Sequence, residues 1–307
     1  MLTLATFNVK DLFVPAPDAP AELHALWQAK LTEVASRIVR AGADVVALQE
    51  VGGQAGLEAL LAVLGAPWLG TCGTPNARGI ANAMVSKLPF RTLRFHYEAA
   101  LPFPTFAAGD PPPFGTTLSL GRAVVEAGFD TPLGLVHVFC IHLKSNIPQE
   151  QRQADGSWQP AHGGRARGEG HVRSAVLRAA EALYIRGLVD AACRETPRVV
   201  VGGDCNDLPS SIPLRVLQGE PSDPSHLELI SVARAMPEHK RYTAIFRDRP
   251  QMLDHLLVTP ALAECLTGAD TDLVGLRDHG PFVPDTPPTV DSDHALVLAR
   301  FEAASRA

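Results

Sequence analysis

Residues suited to holding a metal ion or a phosphate recur at the ends of short apolar runs along this 307-residue chain. Asn8 closes the run Thr3–Asn8, and Gln49-Glu50 closes Asp44–Gln49. His142-Leu143-Lys144-Ser145 follows Gly134–Ile141, and Arg198–Val201 runs into Gly202-Gly203-Asp204-Cys205-Asn206-Asp207. Two late runs open from Leu253-Asp254-His255 and from Ser292-Asp293-His294. Carboxylates suit a hard cation such as Mg²⁺ or Mn²⁺, while no thiolate or multi-histidine spacing suits zinc. Each signal alone has a plainer reading: a turn for Gly-Gly-Asp-x-Asn-Asp, a helix-terminal charge for Glu50, a packed imidazole for His142. Six together point to one site, because strand ends on one edge of a layered α/β fold converge in space.

The elements that must position these groups follow from periodicity. Thr3–Asn8, Ile80–Ser86, Arg91–Tyr97, Arg122–Ala127, Gly134–Ile141, Arg198–Val201, Leu253–Val258 and Ala295–Phe301 read as strands. Asp44–Gln49, with its β-branched run, reads as a strand covered on both faces. Leu23–Val39, Gly56–Leu64 and about Val172–Ala192 carry helical spacing. Strands and helices interleave without a low-complexity linker, which predicts one α/β domain with mixed sheets over residues 1–307. Two long loops stand out, Ala99–Thr117, rich in Pro and Gly, and Asn146–Gly170, polar and Gly-rich. Phe103, Phe106 and Phe114 on the first could stack on a base or pin the loop to the body.

Composition narrows the classes. No apolar run reaches the roughly 20 residues of a membrane span, and the N-terminus reads as a first strand. Five scattered cysteines without a Cys-x-x-Cys pair fit reduced thiols and a cytoplasmic setting. A net charge of −6 weakens a nucleic-acid reading without excluding it, since carboxylates that hold metal also make a chain acidic. The chain shows no sign of an obligate protein partner.

In their order, Phe7-Asn8-Val9, Leu48-Gln49-Glu50-Val51, Ile141-His142-Leu143-Lys144-Ser145, Gly203-Asp204-Cys205-Asn206, Leu253-Asp254-His255 and Ser292-Asp293-His294 resemble the motifs of the endonuclease/exonuclease/phosphatase superfamily. The likeness runs from residue 3 to about residue 301 and is nearest to bacterial nuclease-like members. It implies a four-layer sandwich, two mixed β-sheets packed face to face with helices outside, and a Mg²⁺- or Mn²⁺-dependent phosphoesterase. By resemblance, Glu50 is the principal metal ligand with Asn8 beside it, and Asp293 is a second metal-side acid. Asp204 orients or deprotonates the attacking water, Asn206 holds a phosphate oxygen, and His294 contacts the phosphate with Asp254 behind it. His142 matches a second catalytic histidine, followed by Lys144, and Arg122 buttresses the site. Two departures are visible. Lys10 stands where some relatives carry an acid, and Asn82 stands where the His142 branch pairs its histidine with a glutamate.

A nuclease acting on DNA or RNA is the first expectation for substrate. A phosphodiesterase or phosphatase for a small phosphorylated metabolite or lipid headgroup is the second, and a catalytically silent binding module the third. A nucleic-acid enzyme with this charge must gather its cations near the site, from Lys10, Arg122, Lys144, Arg165, Arg167 and Arg173.

Overall fold

The computed structural model describes residues 1–97, 100–101, 118–152, 157–160, 162–219, 227–280 and 289–303. In chain order the first strands are β1 (Leu2–Leu12), β2 (Val45–Val51), β3 (Leu69–Cys72), β4 (Ala81–Ser86), β5 (Thr92–His96), β6 (Val124–Thr131) and β7 (Gly134–His142). After two short strands, β8 (Gln151–Arg152) and β9 (Trp158–Gln159), come β10 (Val199–Asp204), β11 (Ile230–Ser231), β12 (Ala244–Phe246) and β13 (Arg249–Gln251). The chain closes with β14 (Asp254–Val258), β15 (Leu266–Asp272) and β16 (Leu296–Phe301). The helices are α1 (Ala21–Ala41), α2 (Gly53–Leu64), α3 (Gly163–Ala192), α4 (Ile212–Gln218) and the short α5 (Pro260–Ala263).

Twelve strands form two six-stranded sheets, ordered β15-β16-β1-β2-β4-β3 and β11-β14-β10-β7-β6-β5. Each sheet has one parallel pair at its centre, β1 with β2 and β7 with β10, and antiparallel pairs outside it. Three apolar layers hold the sandwich together. Leu4, Val45, Ala47 and Met84 meet Val125, Val138, Val200 and Leu256 between the sheets. Phe7, Val46 and Leu48 pack under Leu31, Val34 and Ile38 of α1 and Leu57 of α2. Phe139, Ile141 and Val201 pack under Ile185 and Val189 of α3 and Leu214 of α4. The result is the expected four-layer α/β sandwich. β1, β2, β7 and β10 read as continuous apolar runs because each is covered on both faces.

Several segments differ from the sequence expectation. β3 and β15 are edge strands, partly exposed, whose mixed composition hid them. Helix α3 starts at Gly163, so the polar loop 146–170 ends there and Arg165, Arg167 and Glu169 lie on a helix. Four glycines between 163 and 170 argue against helix at about 1 kcal/mol each. Tertiary contacts override them: Gln149 N–H donates to Gly170 O at 3.0 Å and Ser174 Oγ–H to Ile147 O at 2.7 Å. A Cβ at Gly170 would fall 2.8 Å from the Pro148 side chain. Apart from residues 100 and 101, the stretch 99–117 with its three phenylalanines lies outside the described residues.

Candidate active site at the strand ends

The period of two in a strand decides which side chains reach the site. In β1, β7, β10 and β14 the residues Leu4, Cys140, Val200 and Leu256 face the other sheet. Two or four residues along, on the same face, stand Asn8, His142, Asp204 and Asp254. Register brings them side by side, with Asp204 opposite His142 on one flank and Asp254 on the other. Gly203 makes this approach possible, because a Cβ there would lie 1.9 Å from the Ile141 carbonyl oxygen.

Glu50 is reached by a different device. Val46 and Leu48 of β2 face the helices, so a regular strand would turn Glu50 away from the other sheet. A register shift between Leu48 and Val51, with Glu50 at φ 63°, breaks the alternation. β1 kinks beside it, with Lys10 at φ 51° and Asp11 at φ 49°. The kink is held from the site, since Lys10 N–H donates to Asn8 Oδ1 at 2.9 Å and Asp11 N–H to Glu50 Oε2 at 3.2 Å.

Asp204 is the hub. Its Oδ2 accepts a hydrogen bond from Asn8 Nδ2 at 3.0 Å and lies 3.5 Å from His142 Nε2 and 3.9 Å from His294 Nε2. Its Oδ1 accepts the Asn206 N–H at 2.8 Å. Asn8 Nδ2 also reaches Glu50 Oε1 at 3.3 Å, and His142 Nε2 lies 4.0 Å from that oxygen. His294 Nδ1 is 2.7 Å from Asp254 Oδ2. One edge of the sandwich thus brings together Asn8, Glu50, His142, Asp204, Asn206, Asp254 and His294. Asp293 is tied to the same edge through Lys10, whose Nζ donates to Asp293 Oδ2 at 2.9 Å.

The two histidines are driven in opposite directions. Burial lowers His294, but Asp254 and Asp204 outweigh it and hold the imidazolium well above the usual histidine range. Burial, Arg122 and His294 push His142 well below that range, so its ring is neutral. Burial raises both Asp204 and Glu50, the latter with Asp11 adding to the push.

The chain matches the endonuclease/exonuclease/phosphatase family over residues 5–294. The chain belongs to that family. Solved structures share its fold. A 3′ phosphatase, NExo, from Neisseria, bound to product DNA hairpin, is similar at TM-score 0.58 and 19% identity over 99% of this chain and 100% of that one. The human nocturnin catalytic domain with bound sulfate is similar at 0.59 and 14% over 98% and 94%. A mannosyl-6-phosphatase from Bacteroides thetaiotaomicron is similar at 0.58 and 14% over 99% and 100%. No protein of curated function matches the chain.

Family members are typically metal-dependent phosphoesterases, and the donor set here fits a hard divalent cation. Glu50 and Asp204 are crowded and raised, which marks a site short of positive charge. Two groupings offer ligands. Asp204, Asp254 and His294 place ligand atoms within 4.8 Å of one another. Glu50, with Asn8 behind it, keeps 20% of its side chain exposed, whereas Asp254 is fully buried and engaged by His294. A cation that keeps bound waters therefore suits Glu50, whereas Asp254 is already taken up by His294 at 2.7 Å.

The candidate cations are mostly engaged. Lys144 Nζ donates to Ser145 O, Ser145 Oγ and Ile147 O at 3.1–3.2 Å, and burial followed by Arg122 lowers it to about 8. Arg122 Nη1 reaches the carbonyls of His142 and Leu143 at 3.5 and 3.4 Å. Arg173 bonds Gln149 O, and Arg165 pairs with Glu169. Asn206 Nδ2 donates to Leu143 O at 3.1 Å. Asn82 spends its Nδ2 on Ala123 O at 2.7 Å, so it braces a neighbouring strand.

The sequence reading missed the residues that hold the site loops. Buried Arg178 and Glu181, one turn apart on α3, grip three segments at once. Glu181 accepts the N–H groups of Gly121 and Lys144 at 3.1 and 2.7 Å. Arg178 binds Asp207 Oδ2, Lys144 O and Asn146 Oδ1 at 2.8, 2.9 and 2.7 Å. Thr243 Oγ1 accepts the Leu253 and Asp254 N–H groups, both at 3.0 Å, and its carbonyl accepts the Ala295 N–H. Ser292 Oγ ties the strand before His294 to Asn8 O at 2.8 Å. The available signal was charge on the packed face of α3, where Arg178, Glu181 and Arg186 are all buried.

Proposed function

We propose that this chain is a Mg²⁺- or Mn²⁺-dependent phosphodiester hydrolase, a nuclease that cleaves DNA or RNA by in-line attack of water. One observation carries the reading: Asp204 Oδ2 stands among an amide, a neutral imidazole and an imidazolium. Asp204, raised above the ordinary carboxylate range, takes a proton from the attacking water as its oxygen bonds to phosphorus. The P–O bond to the leaving group breaks on the opposite side. His294, kept as imidazolium by Asp254, donates to a phosphate oxygen and stabilises the charge that develops there. His142 and Asn206 complete the donors that orient the phosphate, and Arg122 and Lys144 brace the segments carrying them. Glu50, beside Asn8, would hold the divalent cation, which would supply neutralisation of phosphate charge.

The engagement of Lys10, Arg122, Lys144, Arg165 and Arg173 within the fold favours a second reading, a phosphodiesterase or phosphatase for a small phosphorylated metabolite or lipid headgroup. The net charge of −6 points the same way. A metal-dependent screen over supercoiled DNA, single-stranded DNA, RNA, bis-p-nitrophenyl phosphate and phosphomonoesters separates the two. The nuclease reading expects nucleic-acid cleavage that weakens steeply with salt, because each phosphate contact releases counterions. A flat salt response with no nucleic acid cut transfers the assignment to the metabolite enzyme. Full hydrolysis in excess chelator would refute metal dependence in both.

A further inference from the structure

Asp293 and Glu50 lie on the same edge, yet their surroundings differ in the sign of what they lack. Glu50 accepts from the Asn8 Nδ2 amide and the Asp11 N–H, with the neutral His142 ring 4.0 Å away. Asp293 Oδ2 accepts directly from the Lys10 ammonium at 2.9 Å. That ammonium is itself fixed, because its Nζ lies 2.5 Å from His279 Nδ1. An ammonium has only N–H groups to offer, so it meets Nδ1 as donor to a neutral imidazole. Nε2 lies 3.3 Å from Asp291 Oδ2, which Arg277 holds by two hydrogen bonds at 2.7 and 3.1 Å. A second buried ammonium, Lys30, binds Thr289 O at 3.1 Å just ahead of this segment. The backbone is set for the same purpose: the kink at Lys10 and Asp11 redirects the Lys10 side chain away from the path of a regular strand.

We infer that the Lys10 ammonium, held between His279 and Asp293, is a built-in second cation, so that the site takes one divalent ion at Glu50 and none at Asp293. Asp293 then serves as the seat of the ammonium and not as a metal ligand. The charge that a second ion would neutralise is already neutralised, and an incoming dication would have to expel the ammonium from Oδ2 and remain beside it.

The inference rests on the metal-dependent reading of the site, and the test separates the two. Mn²⁺ alone is titrated into the full chain, free ion is followed by electron paramagnetic resonance, and bound ions are counted per chain. The wild type should hold one ion, and Glu50→Gln should lose it. Asp293→Asn should still hold one, with affinity changed by no more than about threefold, under 1 kcal/mol. Lys10→Met should gain a second, weaker ion that disappears in the Lys10→Met/Asp293→Asn pair. A wild type that binds two ions, one of them lost in Asp293→Asn, overturns the inference and leaves the metal reading standing. So does a folded Lys10→Met that still binds one. The Asp293→Asn arm decides the matter even where Lys10→Met does not fold. A wild type that binds no ion overturns both readings.

Discussion

This molecule holds two buried clusters of carboxylate and imidazole, and they are balanced differently. On β5 to β7, Glu126 is met by Arg94 Nη1 at 2.7 Å, His96 Nε2 at 2.9 Å and His137 Nδ1 at 3.0 Å. Burial pushes Glu126 up, but the bonds from His137, His96 and Arg94 overcome it and hold the carboxyl far below the usual range. At the strand-end site burial wins, and Glu50 and Asp204 stay raised. The first cluster surrounds Glu126 with its own donors; the second leaves Glu50 and Asp204 short of positive charge, as the proposed function requires.

Substitutions at the two clusters should therefore separate activity from stability. The largest effect is expected at Glu50→Gln, which keeps the shape and removes the charge a hard cation needs. Hydrolysis should fall on the order of 10³-fold, measured as kcat/KM with saturating Mn²⁺. In metal-free protein the same substitution should not destabilise. The folded pKa of Glu50 is raised, so the wild type loses stability as pH rises from the unfolded value of about 4.3 toward that raised value. Glu50→Gln should lack that slope. A variant less stable than wild type at pH 8 without metal would break the contrast.

Asp254→Asn tests the Asp254–His294 pair. It leaves the packing but removes the charge that keeps His294 protonated, and kcat should drop about 10²-fold. The pH profile should move as well, with the alkaline limb shifted to lower pH as His294 loses its partner. An unchanged profile would remove His294 from the chemistry.

Glu126→Gln should do the reverse of Glu50→Gln. It strips the counter-charge from Arg94 and the shared acceptor from His96 and His137 and should cost about 3 kcal/mol in urea unfolding at pH 7, with kcat unchanged. The sign follows from a depressed folded pKa: the stabilisation is fully present above the unfolded value of about 4.3 and is lost as pH falls below it. The gap between wild type and variant should therefore narrow from pH 5 to pH 3. A constant gap would assign the loss to packing.

The smallest effect concerns substrate. Replacing Arg165 and Arg167 together should leave hydrolysis of bis-p-nitrophenyl phosphate within about twofold, since both sit on the exposed first turns of α3. With a nucleic-acid substrate it should lower the salt slope by roughly one to two. No change in either would place nucleic acid, if bound, elsewhere on the surface.

Much of this was legible without coordinates. The apolar runs of β1, β2, β7, β10, β14 and β16 and the groups at their ends are written in the sequence, because a strand covered on both faces must be apolar and the first polar residue beyond it marks its edge. Alternation sets Asn8 on the face of Leu4, His142 on that of Cys140, Asp204 on that of Val200 and Asp254 on that of Leu256, but which face meets the other sheet is decided by the fold. Other features belong to the tertiary structure alone. The bulge that turns Glu50 inward has no local signal, since its neighbours are ordinary strand residues and the strain at φ 63° is sustained by the packing of two strands. Helix α3 extends through four glycines because residues 146–149 bind its first turns, a long-range contact that outweighs propensity. Lys10 reads as a candidate cation for substrate, and only the fold brings His279 and Asp293, 269 and 283 residues away, to within hydrogen-bonding distance of it. Charge type is a local property of the sequence, whereas charge balance is a sum over neighbours that only the folded chain assembles.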